Sequence, residues 1–325
     1  MPNKNLMFVF SLPRSGSTLL QRILGSHSQI STAPEPWLLL PFAYATRHRG
    51  VFAEYNHNVS RQAINDFIGK LPAGEDDYFK ELGRFAKSLY MKVSDAQTLY
   101  FLDKTPRYYF IIPEIRTIFP DAKFIFLFRN PLQVFASIID TWCNGRLLFY
   151  KHYADLFIGP SCLAAGYGMM ADQSIRINFE NLVQSPEESV KEILDYLALE
   201  YEPGMLDHFK DVTIGGRMGD PGRFGSGQIN PSSLEKWKTT LNTSFRKFYA
   251  GYYLECLGAD TLKTFGYEPD DLKKQLNDVK VTGFGGIMDP VYLCLTMASR
   301  IVEPNIFGRK CRQKYQTGLP FVYHG

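Results

Sequence analysis

Residues 8–20 read FVFSLPRSGSTLL, and this stretch joins a short apolar run to an apolar pattern with helical spacing. The first run is typical of a buried strand, and the second is typical of a helix. A strand that turns into a helix through Gly and small hydroxyl residues directs backbone N–H groups and the positive end of the helix dipole at one point. We therefore predict an anion site, with these residues around a phosphate or sulfate: Arg14, Ser15, Gly16, Ser17 and Thr18.

The loop differs from that of nucleoside triphosphatases. Their motif, G-x-x-x-x-G-K-[ST], places a Lys on the terminal phosphates and a hydroxyl on magnesium. Here Ser17 follows Gly16 where the Lys is required, and Ser11 replaces the first Gly. The pattern favours binding of a phosphate-type group with no metal requirement. The alternative is an ordinary strand–turn–helix whose Ser and Thr side chains cap the helix.

Length and composition are those of a soluble globular protein. The chain has 325 residues, 45% of them hydrophobic and 21% charged, which is enough for a large core. A net charge of +3 is too small to predict a nucleic-acid partner.

The five cysteines are dispersed without a C-x-x-C pair, so we expect neither a disulfide framework nor a metal site. No secretory pattern and no apolar stretch of about 20 residues is present, which predicts a reduced, cytoplasmic protein.

Apolar runs alternate with amphipathic segments along the chain. The predicted strands are residues 7–10, 100–102, 123–128 and 175–179. The predicted helices are residues 17–24, 111–118, 132–141 and 187–199. This alternation predicts an α/β fold, of a three-layer P-loop-like kind, with a central parallel sheet and helices on both faces. Ligands of such folds bind at the carboxyl ends of the strands.

Three further segments complete the predicted organisation. Residues 44–95 are expected to form a helical insertion in a domain that spans residues 1–270. Residues 215–231 are rich in Gly and predict a mobile loop, which either closes over a ligand or crosses the surface. Residues 271–325 form a C-terminal extension with a helix-like piece at 291–302. Any membrane contact is expected to involve this extension.

A second anion signal lies in FIFLFRNP, residues 124–131. An apolar strand delivers Arg129 at its carboxyl end, and Pro131 occupies the favoured first position of a helix. Ser137 follows about two turns into that helix. Two Arg-bearing strand ends with hydroxyl partners predict two phosphate groups, bound at different places on one ligand.

Taken in order, these motifs resemble those of the sulfotransferases that use 3′-phosphoadenosine 5′-phosphosulfate (PAPS). The 5′-phosphosulfate loop of that family is similar to LPRSGST at 12–18, and its 3′-phosphate motif is similar to FRNP at 128–131 with Ser137. RINFENL at 176–182 resembles its R-Y-E-D-L segment, and residues 229–237 resemble the loop and helix that end in K-W. The resemblance covers about residues 5–267 and implies PAPS as co-substrate, without a metal.

The resemblance also implies catalytic residues, and it is closer to the tyrosylprotein and heparan-type branches than to the cytosolic phenol and steroid enzymes. Glu35 stands where the tyrosylprotein enzymes carry a general base. Lys104 resembles a Lys near the transferred sulfonate, where Arg14 is expected to assist it. The alternatives are that Glu35 is a polar loop residue and that Lys104 forms a surface ion pair with Asp103 or Asp121. The phenol and steroid enzymes use a His base, which keeps His48 and His57 as candidates.

Within the Gly-rich loop, the expected nucleotide contacts are Arg217, Arg223, Ser226 and Gln228, unless the loop is simply solvated. The expected partner is an acceptor that carries a hydroxyl group, such as a sugar, a glycolipid, a tyrosine or a small metabolite. Two other classes of protein remain possible from the sequence. A P-loop kinase or nucleotide hydrolase would need the missing Lys, and a non-catalytic nucleotide-binding module would not need Glu35 and Lys104.

Overall fold

The computed structural model describes residues 5–317, except residues 49, 52, 54, 96, 213, 215–228 and 283–285. Five parallel strands form a sheet in the order β2-β3-β1-β4-β5. The strands are β1 (Asn5–Ser11), β2 (Ile30–Thr32), β3 (Tyr100–Asp103), β4 (Lys123–Phe128) and β5 (Ser174–Asn178).

The α-helices of the described residues are α1 (Ser17–Gly25), α2 (Leu39–Ala45), α3 (His57–Ile68), α4 (Glu75–Val93), α5 (Ile112–Ile118), α6 (Pro131–Trp142), α7 (Gly159–Met170), α8 (Phe179–Gln184), α9 (Pro186–Leu197), α10 (Met205–His208), α11 (Trp237–Thr240), α12 (Ser244–Leu257), α13 (Ala259–Thr264), α14 (Pro269–Asn277), α15 (Asp289–Val302) and α16 (Pro304–Thr317). Short 3₁₀ turns, among them Pro106–Phe110 and Pro231–Leu234, connect some of them.

Helices cover both faces of the sheet because successive strand residues point to opposite sides. Phe8 and Phe124 pack on one side with α4, α5 and α7. Val9 and Ile125 pack on the other side with α1 and α9. Burial on both faces explains why β1 and β4 read as continuous apolar runs. The predicted three-layer α/β fold with a central parallel sheet is confirmed.

The strand order creates a switch point between β1 and β4. These strands are neighbours, with Ser11 opposite Leu127. The chain leaves β1 toward β2 and β3 on one side, whereas it leaves β4 toward β5 on the other. The two connections therefore diverge and leave a crevice at the carboxyl ends of β1 and β4. Arg14 and Arg129 follow these two ends, as predicted.

The predicted strands and helices agree with the observed ones to within two residues at each end. The strand β2 was not predicted. It has three residues and pairs with β3 alone, so its sequence carries too short a pattern to be recognised. The insertion predicted at 44–95 contains α3 and α4, and α2 begins before it, at Leu39.

A third core lies beside the sheet, where α6 packs against α12 and α14. Leu272 and Leu276 of α14 are buried there, so the first part of the C-terminal extension packs against the domain. The boundary near residue 270 stays a prediction. The helix predicted at 291–302 is present as α15. In the described part of the chain, none of the helices has the length and apolar character needed to cross a membrane.

Candidate functional site

The turn between β1 and α1 has an unusual backbone conformation. Arg14 and Gly16 both have positive φ, at 65° and 88°. A Cβ atom on Gly16 would lie 2.2 Å from two ring carbons of Phe179, so this position requires Gly. Gly16 caps α1, whose first backbone N–H groups have no partner within a helix. The turn thus presents a helix N-terminus at the switch point of the sheet.

The Arg14 side chain extends from this turn to α6. Its Nε donates to Ser137 Oγ at 3.2 Å, and its Nη2 lies 3.4 Å from Thr141 Oγ1. The guanidinium also lies 5.8 Å from the ring centroid of Trp142. The sequence predicted Arg14 and Ser137 at different phosphate groups, and the structure brings these two side chains together. Thr141 and Trp142 were not predicted, although Thr141 is four residues after Ser137 and therefore on the same face of α6.

Arg129 lies directly behind Arg14. Its Nη1 donates to the Arg14 carbonyl oxygen at 2.7 Å, and its Nε donates to Gln133 Oε1 at 2.9 Å. Its guanidinium lies 4.3 Å from the ring centroid of Phe179. Burial, reinforced by the positive charge of Arg14 and opposed by Glu180, lowers the pKa of Arg129 to about 10. Two cations are therefore held close together in a poorly solvated place, where an anion would be stabilised.

The RINFENL segment holds the end of β4 in place. Glu180 Oε1 accepts from the backbone N–H of Asn130 at 3.0 Å, and Glu180 Oε2 accepts from the Tyr267 hydroxyl at 2.5 Å. Asn130 in turn caps α6 by accepting from the Leu132 N–H. This network fixes the start of α6 and so the position of Ser137 relative to Arg129.

A cleft of about 520 Å³ adjoins these residues, a volume typical of small-ligand sites. The first turn of α1 and one face of α6 form two of its walls, and Phe179 and residues 229–237 contribute others. The lining includes Arg14, Gly16, Ser17, Thr18, Arg129, Gln133, Ser137, Asp140, Thr141, Phe179, Ile229, Asn230, Lys236 and Trp237. Basic and hydroxyl side chains thus meet beside a helix N-terminus, as an anionic ligand requires.

Glu35 and Lys104 form a buried ion pair. Lys104 Nζ lies 2.6 Å from Glu35 Oε1, and the side chains are 1% and 8% exposed. Trp37 Nε1 donates to Glu35 Oε2 at 3.2 Å. Lys104 Nζ also lies 3.5 Å from Thr18 Oγ1, and Thr18 lines the cleft. Because Lys104 is buried and paired with Glu35, the alternative of a surface ion pair with Asp103 or Asp121 is wrong.

Asp103 supports this pair from the end of β3. Its Oδ2 accepts from the hydroxyls of Tyr90 at 2.6 Å and Tyr108 at 3.1 Å, and its Oδ1 accepts from Thr105 at 2.9 Å. Burial raises the pKa of Asp103 to about 6 in spite of these hydrogen bonds. From the sequence, Asp103 was expected only as one of two possible surface partners of Lys104. Asp103 directly follows the apolar residues of β3, and this position indicated from the sequence that its side chain is buried.

The two histidines that were kept as alternative bases differ in their exposure to solvent. His57 is buried and its Nε2 lies 2.8 Å from the Arg47 carbonyl oxygen, whereas His48 is exposed. The predicted loop contacts fall outside the described residues; they are Arg217, Arg223, Ser226 and Gln228. Among the residues with described positions, no group of three or more His, Cys, Asp or Glu side chains is placed to hold a metal ion.

Comparison with known proteins indicates the family of the chain. Residues 7–203 match the profile of a family described as the Sulfotransferase family. The chain is 27% identical over 293 residues to nodulation protein NoeE of Sinorhizobium fredii, covering 81% of this chain and 66% of NoeE. It is 25% identical over 272 residues to a putative protein-tyrosine sulfotransferase of Caenorhabditis briggsae, covering 80% of this chain and 84% of that protein.

A solved structure shows the same fold. The sulfotransferase domain from the curacin biosynthetic pathway superposes with a TM-score of 0.52 at 22% identity, covering 82% of this chain and 99% of that domain. The chain spans slightly less than two thirds of the length of NoeE.

Proposed function

Because the chain belongs to the sulfotransferase family, we propose that it transfers a sulfonyl group from PAPS to a hydroxyl group of an acceptor. The observation that carries this proposal is the proximity of two cations, Arg14 and Arg129, to Ser137 and to the N-terminus of α1. The lowered pKa of Arg129 agrees with this proposal, because a partly buried guanidinium beside a second cation would be stabilised by an anionic ligand. In this proposal Arg129 and Ser137 hold the 3′-phosphate. Arg14, which was expected at the 5′-phosphosulfate, is now assigned to the 3′-phosphate because its Nε donates to Ser137.

The 5′-phosphosulfate is assigned to the N-terminus of α1. Backbone N–H groups of Gly16 to Thr18 would donate to its oxygens, together with the Ser17 and Thr18 hydroxyls. The Ser15 N–H, also predicted here, donates instead to the Leu12 carbonyl at 3.3 Å. Lys104 reaches this loop, because its Nζ lies 3.5 Å from Thr18 Oγ1. A cation at that point stabilises the negative charge that develops on the leaving phosphate oxygen.

Glu35 is proposed as the general base. In the transfer, the acceptor oxygen forms a bond to sulfur while the bond between sulfur and the 5′-phosphate oxygen breaks. The acceptor loses its hydroxyl proton to Glu35, and the electron pair of the broken bond remains on the phosphate. The Glu35–Lys104 contact supports this assignment, since it holds the proposed base beside a cation that also reaches the α1 loop at Thr18.

The preference of the protein among nucleotides tests the proposal that PAPS is the sulfonyl donor. We expect 3′-phosphoadenosine 5′-phosphate (PAP) to raise the melting temperature more than AMP or ATP with magnesium does, in a buffer without added metal. Arg129→Gln is expected to weaken PAP far more than AMP. Arg84→Gln serves as the control, because Arg84 is an exposed residue of α4. Equal weakening of PAP and AMP by Arg129→Gln, or a larger shift with ATP and magnesium, would contradict the assignment.

The rate of sulfonyl transfer tests the assignment of Glu35 as the general base. In a screen of hydroxyl-bearing acceptors with labelled PAPS, Glu35→Gln is expected to reduce transfer about 100-fold or more, which is the usual contribution of a general base. PAP should still raise the melting temperature of this variant. Full transfer by Glu35→Gln would remove Glu35 from this role.

A further inference from the structure

Helix α15 exposes apolar side chains and buries polar ones. Val291, Leu295 and Val302 are 45%, 48% and 68% exposed, whereas Asp289 and Thr296 are buried. A helix that covers a protein core shows the opposite arrangement. The outward face of α15 is thus suited to an apolar environment that the described part of the chain does not provide.

Hydrogen bonds hold α15 in this orientation. Arg246 donates to both carboxylate oxygens of Asp289, at 2.6 and 3.2 Å. The Thr296 hydroxyl donates to the Leu147 carbonyl at 2.9 Å and accepts from the Phe149 N–H at 3.2 Å. Turning the helix to bury its apolar side chains would break all of these bonds and leave the Asp289 carboxylate unpaired. These hydrogen bonds therefore stabilise the orientation in which the apolar face of α15 is exposed.

The outward face is continuous and carries no charge. Val291, Leu295, Ala298 and Val302 recur at intervals of four, three and four residues, which places them on one side of the helix. All four are exposed. The charged residue Arg300 lies on the other side, where its guanidinium stacks 3.4 Å from the ring centroid of Tyr153. The result is an apolar stripe about three turns long.

Helix α16 adds aromatic side chains and positive charge. Phe307 and Tyr315 are 67% and 92% exposed and, being eight residues apart, share a face of this helix. The helix contains four Lys or Arg and no acidic residue. Residues 300–325 contain five Lys or Arg and one Glu, so they carry +4 in a chain whose total charge is +3. The rest of the chain is close to neutral.

We propose that α15 and α16 form a surface that docks on an anionic membrane. Exposed Val, Leu, Phe and Tyr side chains would enter the boundary between headgroups and acyl chains, and the net positive charge of the segment would attract it to the lipid phosphates. The charge decides between this partner and a second copy of the chain, because two copies meeting here would bring +4 against +4. The helices lie on the membrane and do not cross it.

Flotation of the full chain with lipid vesicles tests the proposal. One set of vesicles is phosphatidylcholine alone and the other is phosphatidylcholine mixed with phosphatidylglycerol. We expect the chain to float with the mixed vesicles. The double variant Val291→Glu/Leu295→Glu should bind about tenfold more weakly or worse, since two charges enter the apolar stripe. Replacing the four basic residues of α16 by Gln should remove the preference for the mixed vesicles.

The matched control is Val59→Glu/Phe248→Glu, which places two charges at exposed apolar positions of α3 and α12. This variant should float like the wild type, and both double variants should keep the wild-type melting temperature. Failure of the wild type to float, or undiminished flotation of Val291→Glu/Leu295→Glu, would overturn the proposal. So would a dimer that forms without lipid and is dissociated by Val291→Glu/Leu295→Glu, because the stripe would then bind a second copy.

Discussion

Lys104 Nζ lies 2.6 Å from Glu35 Oε1, although the two residues are 69 positions apart in the chain. The pair forms because Lys104 follows β3 and the Glu35 segment follows β2, and these strands are neighbours in the sheet. Both side chains are nearly free of solvent contact. Removal of one partner from such a pair leaves a buried charge without compensation, which costs more than the pair itself contributes.

This arrangement makes Lys104→Met a sensitive variant. We expect it to lower the free energy of unfolding by about 3–5 kcal/mol, because the Glu35 carboxylate is left unpaired. Urea denaturation measures the loss. The double variant Lys104→Met/Glu35→Gln should recover a large part of it, since no buried charge remains. A double variant as unstable as Lys104→Met alone would show that Lys104 stabilises the fold through packing.

Gly16→Ala should weaken nucleotide binding. The added Cβ would overlap the Phe179 ring, and φ at this position is +88°. Because the Phe179 ring also lies against Arg129, its displacement should disturb the proposed 3′-phosphate site. We expect the Kd for PAP, measured by calorimetry, to rise at least about tenfold, equivalent to 1.4 kcal/mol.

The control for this variant is Gly168→Ala in α7, where a Cβ would meet no atom within 4 Å. It should leave PAP binding unchanged and stabilise the helix by about 0.5–1 kcal/mol. Unchanged PAP affinity in Gly16→Ala would exclude this turn from the nucleotide site.

The raised pKa of the buried Asp103 carboxyl should make the free energy of unfolding depend on pH. Its pKa rises from the ordinary value of 3.8 to about 6 in the folded protein, so the folded state binds the proton more tightly than the unfolded state. The stability that this proton contributes is complete below about pH 4 and is lost as the pH rises through 6. A shift of this size corresponds to about 3 kcal/mol.

Asp103→Asn should remove this dependence. The unfolding free energy of the wild type minus that of the variant is expected to fall between pH 4 and pH 6 and to be constant above pH 7. Urea denaturation at several pH values measures it, with Asp66→Asn, an exposed position of α3, as the control. A difference that rises with pH over this interval would mean that the hydrogen bonds from Tyr90, Tyr108 and Thr105 outweigh burial.

Ser137 and Thr141 should differ in their effect on the proposed nucleotide site. Both hydroxyls contact Arg14, at 3.2 and 3.4 Å, but Ser137 is also the residue assigned to the 3′-phosphate. We expect Ser137→Ala to weaken PAP about fivefold, the usual effect of one hydrogen bond, and to leave AMP unchanged. Thr141→Ser, which keeps the hydroxyl, should bind PAP like the wild type. Equal weakening of PAP and AMP by Ser137→Ala would place Ser137 away from the 3′-phosphate.

Local sequence was sufficient for β1, β3, β4 and β5 and for the two anion signals, but not for the short strand β2. β1 and β4 were predicted because strands buried on both faces need continuous apolar runs. The turn at Gly16 was predicted because Gly and small hydroxyl residues stand between an apolar run and a helical pattern. The start of α6 was predicted because Pro131 suits a first helical position. These features depend on residues that are adjacent in the chain, so a short window of sequence contains them.

The sequence by itself therefore determined the α/β layers and the basic strand ends at which a phosphate-type ligand is expected. Tertiary structure alone decided that Lys104 pairs with Glu35, that Arg14 reaches Ser137 and Thr141, and that α15 exposes its apolar side. Each of these depends on strand order or on packing between residues far apart in the chain. Local propensity carries no information about such neighbours, because the same strand or helix would form in another topology.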